Sequence, residues 1–226
     1  MCNNQKRFNE PIIKPFVGKY YNTPKSIFNT RLMVLGESHY DDKDKNLKER
    51  MPVNNSDDIN FTCNVIKNYL NNDFKFDRWM NTFTKFSSSL INKKLCRNNN
   101  IKDISKIWNS VIFYNYIQMI MGSSRVAPSE DAIKNSEGSF YSVINQYKPE
   151  LLIVWGIRLW DYLPHDFWTD GKIIKEGSSV SDYGFYTLND GSKVFCTYVK
   201  HPSGGYSWSE VHKKISSYLS ENRPKE

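Results

Sequence analysis

The pattern of apolar and polar positions along the chain predicts strands that alternate with helices. Apolar runs at 32–35, 111–117 and 151–155 show little alternation of apolar and polar residues. Such runs are typical of strands that are buried on both faces of a parallel sheet. A fourth strand is predicted at 194–199, where the turn Asn189-Asp190-Gly191 joins it to an antiparallel partner at 184–188.

Apolar residues that recur every three or four positions predict the helices between these strands. The helices fall at about 61–69, 76–90, 130–147, 159–163 and 207–219, whereas the polar run 97–100 is interpreted as a loop. Strands alternating with helices indicate the α/β class. We therefore expect a three-layer α/β/α sandwich, with a central four-stranded, mostly parallel sheet and one added antiparallel strand, in a single domain over residues 1–226.

Length and composition favour one folded domain that does not enter a membrane. The chain has 226 residues, of which 39% are hydrophobic, and this is enough for one buried core. No apolar run approaches the roughly 18 residues of a membrane-spanning helix. The first residues are polar and lack the apolar region of a signal peptide. We expect a cytoplasmic protein with no membrane partner and favour a monomer, although the sequence does not determine the oligomeric state.

The cysteines and histidines do not predict a metal site. The four cysteines, at 2, 63, 96 and 196, include no Cys-x-x-Cys pair, and the four histidines include no His-x-x-x-His pair. We interpret the cysteines as free thiols in a reducing compartment. The sequence therefore predicts no metal and no cofactor.

The charge balance is compatible with a nucleic-acid partner. Lys and Arg number 31 against 24 Asp and Glu, which gives a net charge of +7. The segment 85–106 concentrates the excess, with six basic residues and one acidic residue. Spare cations of this kind neutralise phosphates, so we expect DNA as a partner, although a solvated helix face and loop would show the same pattern.

Polar residues follow the predicted strands at the points where they end. Gly36-Glu37-Ser38-His39-Tyr40 follows the first strand, Asn115 lies in the second, Gly156 follows the third, and His201-Pro202-Ser203 follows the last. Ligands of open α/β sheets bind at the carboxyl ends of the strands. Each group alone is also typical of a helix cap or a turn, but together they predict one polar site at this edge.

The order and placement of these groups resemble the uracil-DNA glycosylase superfamily. Its first signature follows the first strand and reads Gly-Gln-Asp-Pro-Tyr, or Gly-Glu-Ala-Pro-Gly in the iron–sulfur branch, which corresponds here to residues 36–40. The second signature is an Asn within an apolar strand, matched by Asn115, and the third is His-Pro-Ser, matched by residues 201–203. The pair Trp155-Gly156 is similar to a further strand end of the family. The resemblance extends from about Leu32 to Trp208.

This resemblance implies a DNA glycosylase that hydrolyses the N-glycosidic bond of uracil or of another modified base. It implies that His201 donates a hydrogen bond to the uracil O2 as negative charge develops there, that Asn115 pairs with the base edge, and that Tyr40 excludes the thymine methyl group. The remaining signature residues are expected to bind substrate; they are Gly36, Ser38, His39, Pro202 and Ser203.

The chain also departs from the family pattern. Ser38 replaces the Asp that positions water, and His39 replaces the Pro, so we assign the water to Glu37. The clustered cysteines of the iron–sulfur branch are missing, which predicts no cluster. After His201-Pro202-Ser203, Tyr206 or Trp208 either fills the gap left by a flipped base or anchors the last helix. The aromatic residue that stacks on the base is not assigned, and Phe61 is one candidate.

Two other functions remain open at this point. Ser38 in place of Asp favours a catalytically inactive protein of the same fold that binds a base or a nucleic acid. An esterase-like hydrolase that uses Ser38 or Ser203 with a histidine is disfavoured, because neither serine lies in Gly-x-Ser-x-Gly.

Overall fold

The computed structural model describes residues 9–41, 48–123, 126–171, 174–176, 179–181 and 183–221. The described chain is an α/β fold of twelve strands and seven helices. The strands are β1 (Phe16–Val17), β2 (Leu32–Gly36), β3 (His39–Tyr40), β4 (Glu49–Arg50), β5 (Val111–Asn115), β6 (Ile120–Met121), β7 (Leu151–Trp155), β8 (Trp168–Asp170), β9 (Ile174–Glu176), β10 (Ser179–Ser181), β11 (Tyr183–Thr187) and β12 (Lys193–Val199). The helices are α1 (Ser56–Ile59), α2 (Phe61–Leu70), α3 (Met80–Ile91), α4 (Arg97–Trp108), α5 (Glu130–Tyr147), α6 (Ile157–Tyr162) and α7 (Trp208–Glu221).

The main sheet has seven strands in the order β1-β5-β2-β7-β12-β11-β8. Its four central strands, β5, β2, β7 and β12, are parallel and correspond to the four predicted strands. The predicted sheet, four strands and one added antiparallel strand, is too small: the sheet has seven strands, because β1 adds antiparallel to β5 and β8 adds antiparallel to β11. These edge strands are two and three residues long, which is too short to produce a periodic pattern.

The predicted hairpin is confirmed. β11 pairs antiparallel with β12 in the register Tyr183↔Thr197 to Thr187↔Lys193. The turn is closed by hydrogen bonds from Leu188 N to Ser192 O, 2.8 Å, and from Gly191 N to Leu188 O, 2.9 Å. The hairpin therefore extends the parallel part of the sheet on one side.

Alternate residues of the central strands are buried in two separate apolar clusters. Met33, Leu35 and their counterparts on β5 and β7 pack with residues of α5 and α6. Leu32, Val34 and their counterparts pack with residues of α2, α3, α4 and α7. Both faces of the strands are thus covered, which explains why these strands read as continuous apolar runs.

The predicted loop at 97–100 is wrong, because these residues form the first turn of α4. Arg97 is buried, and its guanidinium donates to the carbonyl oxygens of Tyr69 and Asn71 at the end of α2. The backbone leaves the helical region at Asn100, with φ −123° and ψ 24°. The three asparagines hide this first turn in the sequence, since it has no apolar residue and its buried contacts are those of Arg97. The rest of α4 buries Ile104, Ile107 and Trp108.

The chain segments that follow β2 and β5 stay paired beyond the main sheet. Tyr116 N donates to Gly36 O and Ile117 N to Glu37 O, each at 2.9 Å. β3 then pairs parallel with β6, and β4 pairs antiparallel with the other edge of β6. This small second sheet holds the segment 36–40 next to the carboxyl end of β5. Among the described helices, none combines the length and the apolar character needed to cross a membrane.

Candidate functional site

Gly36 and Asn115 lie side by side at the carboxyl ends of β2 and β5. The two residues are register partners, and a Cβ atom on residue 36 would lie 2.2 Å from the Asn115 Oδ1 atom. Only glycine at position 36 therefore leaves room for this carboxamide. Asn115 is 9% exposed, and its side chain makes no hydrogen bond to another described residue. Its amide is therefore available to a ligand at this edge.

Glu37 forms a two-point ion pair with Arg158. The guanidinium Nε donates to Oε2 at 2.7 Å, and Nη2 donates to Oε1 at 2.5 Å. The Glu37 side chain is 9% exposed, whereas that of Arg158, at the start of α6, is 44% exposed. The paired geometry fixes the plane of the carboxylate and keeps a charge at a nearly buried position that would otherwise disfavour it.

His201 lies directly after β12, beside the turn at the end of β7. Gly156, in this turn, has φ +95°, and a Cβ atom there would lie 3.3 Å from the His201 Cβ atom. The imidazole also contacts the edge of Trp155, with ring centroids 6.0 Å apart. The ends of β7 and β12 therefore place His201 next to the first turn of α6, which carries Arg158.

The hydrogen bonds of His201 determine its tautomer. Its Nδ1 accepts from the backbone N–H of Ser203 at 3.2 Å and lies 2.8 Å from the Ser203 hydroxyl. Because a backbone N–H only donates, Nδ1 holds a lone pair and the single proton of the neutral ring is on Nε2. Burial of part of the ring and then the charge of Arg158 lower the pKa of His201. Both effects favour the neutral imidazole with a free Nε2–H donor.

Tyr40 belongs to the same group of side chains. Burial raises the pKa of its phenol, the negative charge of Glu37 raises it further, and Arg158 lowers it. These electrostatic couplings place Tyr40 near the Glu37–Arg158 pair. Glu37, Tyr40 and His201 are thus all coupled to Arg158, and Asn115 adjoins the backbone of Gly36.

The side chains of Ser38 and His39 are both buried. The Ser38 hydroxyl is buried near Tyr40, without the geometry of a hydrogen bond to any described residue. His39 is 2% exposed, and its Nε2 lies 2.6 Å from the Thr62 hydroxyl in α2, with Phe61 packed edge-on against the ring. His39 therefore contacts a helix rather than the strand-end group, and burial lowers its pKa to about 3.

Two aromatic residues, Tyr206 and Trp208, follow His201-Pro202-Ser203. The Tyr206 hydroxyl lies 2.8 Å from the Ser89 hydroxyl, and its ring packs against the cluster of α2, α3, α4 and α7. Trp208 is the first residue of α7. Tyr206 therefore anchors the loop to the end of α3, and of the two roles considered from the sequence this contact supports the anchor. Pro202 is buried in the same loop, and Ser203 is exposed.

Arg158 is the residue of this group that sequence reasoning missed. It stands two positions after Gly156, at the carboxyl end of a predicted strand, where ligands of open α/β sheets bind. A cation near the start of a six-residue helix gives no pattern of its own. Its pairing with Glu37 depends on the adjacency of β2 and β7, which the sequence does not display.

Two further features of the described residues concern where a metal ion or another ligand could bind. The described part of the chain contains no group of three or more His, Cys, Asp or Glu side chains that are arranged to hold a metal ion. A cavity of about 350 Å³ adjoins α6 and β8 but includes none of the predicted site residues; it is lined by Trp160, Leu163, His165, Trp168, Asp170, Gly171, Tyr183 and Tyr186.

Comparison of the whole sequence with known proteins does not assign a family. No model of a protein family matches the chain, and no curated protein matches it. The geometry of the strand ends is therefore the basis for any functional conclusion.

Proposed function

We propose that this protein is a divergent relative of the uracil-DNA glycosylases that hydrolyses the N-glycosidic bond of uracil or of another modified base in DNA. The observation that carries the proposal is that the three signature positions lie at the carboxyl ends of parallel strands of one sheet, with β5 next to β2 and with β12 separated from β2 by β7. The two apolar clusters on opposite faces of these strands support the three-layer α/β/α arrangement of that superfamily.

The proposed reaction breaks the bond between C1′ of the deoxyribose and the base nitrogen. Water supplies the new C1′–O bond and releases a proton, and the base leaves with the electron pair of the broken bond. Because negative charge then builds up on the base, a fixed hydrogen-bond donor at its carbonyl oxygen stabilises the transition state. The Nε2–H of neutral His201 is suited to this role, since the Ser203 N–H that donates to Nδ1 leaves the ring proton on Nε2.

Asn115 and Glu37 take the other two roles in the proposal. The carboxamide of Asn115, which has no hydrogen-bond partner among the described residues, offers both a donor and an acceptor to the edge of a base that has left the duplex. Glu37 orients the water, because each carboxylate oxygen that accepts from Arg158 retains a further lone pair. Its negative charge also stabilises the positive charge that develops on the sugar.

The position of the basic segment supports DNA as the substrate. Two hydrogen bonds join the end of α3 to the chain after His201: Tyr206 contacts the Ser89 hydroxyl, and His212 Nδ1 lies 2.7 Å from the Ser89 carbonyl oxygen. The end of α3, which Lys93 and Lys94 follow in the chain, is therefore bonded to the chain beyond His201. This arrangement provides cations for phosphates that flank a base in the pocket.

The direct test is an abasic-site assay with a panel of oligonucleotides that contain uracil, hypoxanthine or xanthine, in single and double strands. We expect base release by the wild-type protein. The variant His201→Ala should lose about a hundred- to a thousandfold in rate but keep its affinity for DNA, because the lost donor acts on charge that exists only in the transition state. Glu37→Gln should also reduce the rate strongly.

The exposed His165 provides the matched control, since His165→Gln changes a histidine that lies in the separate cavity next to α6. Equal rates for wild type, His201→Ala and Glu37→Gln would overturn the assigned roles even if base release occurs.

A second candidate function is a catalytically inactive protein of this kind that binds a base or a nucleic acid. It is favoured by Ser38 at the position of the family Asp and by the engagement of both Glu37 oxygens with Arg158. Ser38→Asp separates the two functions. Base release that appears only in this variant supports the binding protein, whereas wild-type release that disappears in Glu37→Gln supports the glycosylase.

A further inference from the structure

We propose that the cavity beside α6 and β8 binds a small free organic cation that carries a methylated ammonium group. Its volume of about 350 Å³ falls in the range of pockets that hold small ligands. None of the described residues that line it belongs to the strand-end group of Glu37, Asn115 and His201. The cavity is therefore a second site, and its ligand does not depend on the reaction proposed above.

Four aromatic side chains line the cavity; they are Trp160, Trp168, Tyr183 and Tyr186. The centroid of the Trp168 ring lies 5.4 Å from that of Trp160 and 5.0 Å from that of Tyr186, and the ring planes meet at 82° and 62°. Because these planes are steeply inclined, the lining presents ring faces as well as ring edges. The face of an aromatic ring carries partial negative charge and attracts cations, most strongly in the case of Trp.

Two glycines make room for two of these rings. A Cβ atom at Gly184 in β11 would overlap the Trp168 ring, and a Cβ atom at Gly171 would overlap the ring of Tyr183. Each ring therefore lies directly on a glycine backbone, in a position that the side chain of any other residue would occupy. The sequence thus provides for two of the aromatic walls at positions 171 and 184.

Hydrogen bonds hold two of the rings in place. The Trp168 Nε1–H donates to the Asp170 Oδ1 atom at 2.7 Å. The Tyr186 hydroxyl donates to the Pro164 carbonyl oxygen at 2.9 Å. Phe167, directly before Trp168, has φ +61°, a conformation that bulky residues rarely adopt and that clusters at ligand sites. The walls are therefore preorganised, which lowers the cost of binding a ligand.

The charge of the lining determines which ligand it suits. Among the described residues that line the cavity, Asp170 is the only carboxylate, and none is a lysine or an arginine. Asp170 is exposed beside the Trp168 indole, where it attracts a cation and repels phosphate groups. A methylated ammonium suits these walls better than a primary ammonium or a guanidinium, because its methyl groups pack on the rings and need no hydrogen-bond acceptor.

The test is a titration of the whole chain with choline at about pH 8, so that a histidine in the lining adds no positive charge. The matched ligand is the neutral carbon isostere of choline, in which a tert-butyl group replaces the trimethylammonium group. We expect choline to bind saturably in the millimolar range or tighter and to shift the indole N–H signals of Trp160 and Trp168 in NMR spectra. The isostere should bind roughly tenfold more weakly, because it keeps the methyl groups but lacks the charge.

Two substitutions test where the cation binds. Trp160→Leu keeps an apolar side chain but removes a ring, and it should weaken choline binding about five- to thirtyfold. Asp170→Asn removes the charge but keeps an oxygen for the Trp168 indole, and it should weaken binding about two- to fivefold, as for an exposed ion pair. Trp79→Leu is the matched control and should leave the affinity unchanged, because Trp79 packs against Phe83 in the other apolar cluster.

Three results would overturn the proposal: equal affinity for choline and its isostere, unchanged affinity in both Trp160→Leu and Asp170→Asn, and no saturable binding at millimolar choline. Tighter binding of a trimethyllysine peptide than of choline would also overturn it, since the ligand would then be a protein side chain and not a free cation. Because Asp170 is exposed, Asp170→Asn decides the question even if Trp160→Leu does not fold.

Discussion

His39 shows how a residue in a segment predicted to bind substrate can pack against a helix instead. The resemblance placed it among the substrate-binding residues, because it lies between Ser38 and Tyr40. The structure encloses its ring between α2 and the backbone, with Thr62 as the partner of Nε2. Its neighbours Glu37 and Tyr40 turn toward Arg158 instead. This divergence follows from the short irregular segment between β2 and β3, in which side chains do not alternate as they do within one strand.

We expect His39 to make the protein sensitive to acid. Burial keeps its pKa near 3 in the folded state, against an ordinary value of about 6.5 when unfolded. Between these two pKa values the ring binds a proton in the unfolded chain but not in the folded protein. The free energy of unfolding therefore falls as pH drops from about 6.5 toward 3, by about 1.4 kcal/mol per pH unit. In urea unfolding, the free energy of unfolding of His39→Gln should fall by about 2 kcal/mol less than that of wild type when the pH is lowered from 7 to 5.

His165→Gln serves as the control for this measurement, because His165 is exposed. It should show the same loss of stability between pH 7 and pH 5 as wild type. If His39→Gln also shows the wild-type loss, the His39 ring takes up its proton in the folded state and the enclosed position is wrong.

At the scale of elements, the sequence predicted those strands whose burial is continuous. β2 and β7 are each buried at every residue, so they left uninterrupted apolar runs. β1 and β8 lie at the edges, are short and contain exposed residues, so their pairing depends on neighbours rather than on a pattern. The start of α4 was not predicted for a related reason, since the contacts of buried Arg97 are tertiary.

The basic segment loses two of its six cations to contacts within the protein. Arg97 is buried at the end of α2, and Lys93 pairs with Asp103 at 3.0 Å. The remaining four are exposed and free to contact phosphate; they are Lys85, Lys94, Lys102 and Lys106. Any contribution of this segment to DNA binding therefore comes from fewer charges than the sequence suggests.

We expect Lys94→Glu to weaken DNA binding, because Lys94 lies in the loop after α3, whose end is bonded to the chain beyond His201. Loss of one phosphate contact should make the slope of log K against log salt less steep by about 0.9 on duplex DNA. Fluorescence anisotropy over a salt series measures this slope.

Lys25→Glu is the matched control, because the adjoining chain is bonded to Ser110 near the start of β5, at the opposite edge of the sheet. An equal effect of both variants would show that the binding responds to net charge and not to the segment.

At the scale of the whole molecule, the candidate site depends on four strands that are far apart in sequence. β2 is central among them and pairs with β5 and β7, so the chain at Gly36 and Glu37 meets Asn115 on one side and Arg158 on the other. The sequence predicted that Glu37, Asn115 and His201 share an edge, because parallel strands end at one edge. It did not predict which side chains touch, because this depends on strand order and on the angle at which each chain leaves the sheet.

The net charge leads to an expectation for the molecule as a whole. With a net charge of +7, we expect the protein to retain duplex DNA at low salt and to release it as salt rises, since each phosphate contact adds about −0.9 to the log–log slope. Single-stranded DNA of the same sequence should give a slope of about −0.7 per contact. Absence of retention at 50 mM salt, a condition in which phosphate contacts are strong, would contradict the nucleic-acid proposal.

The close approach of Gly36 and Asn115 has a consequence for how chains of this kind diverge. A side chain at position 36 would occupy the volume that the carboxamide oxygen of Asn115 fills. A side chain at position 36 is therefore tolerated only after the residue at 115 has changed, although the two codons are far apart in the gene. In an alignment of descendants of this chain, a residue other than glycine at 36 should occur only together with a change at 115, whereas glycine at 36 can persist when Asn115 is lost.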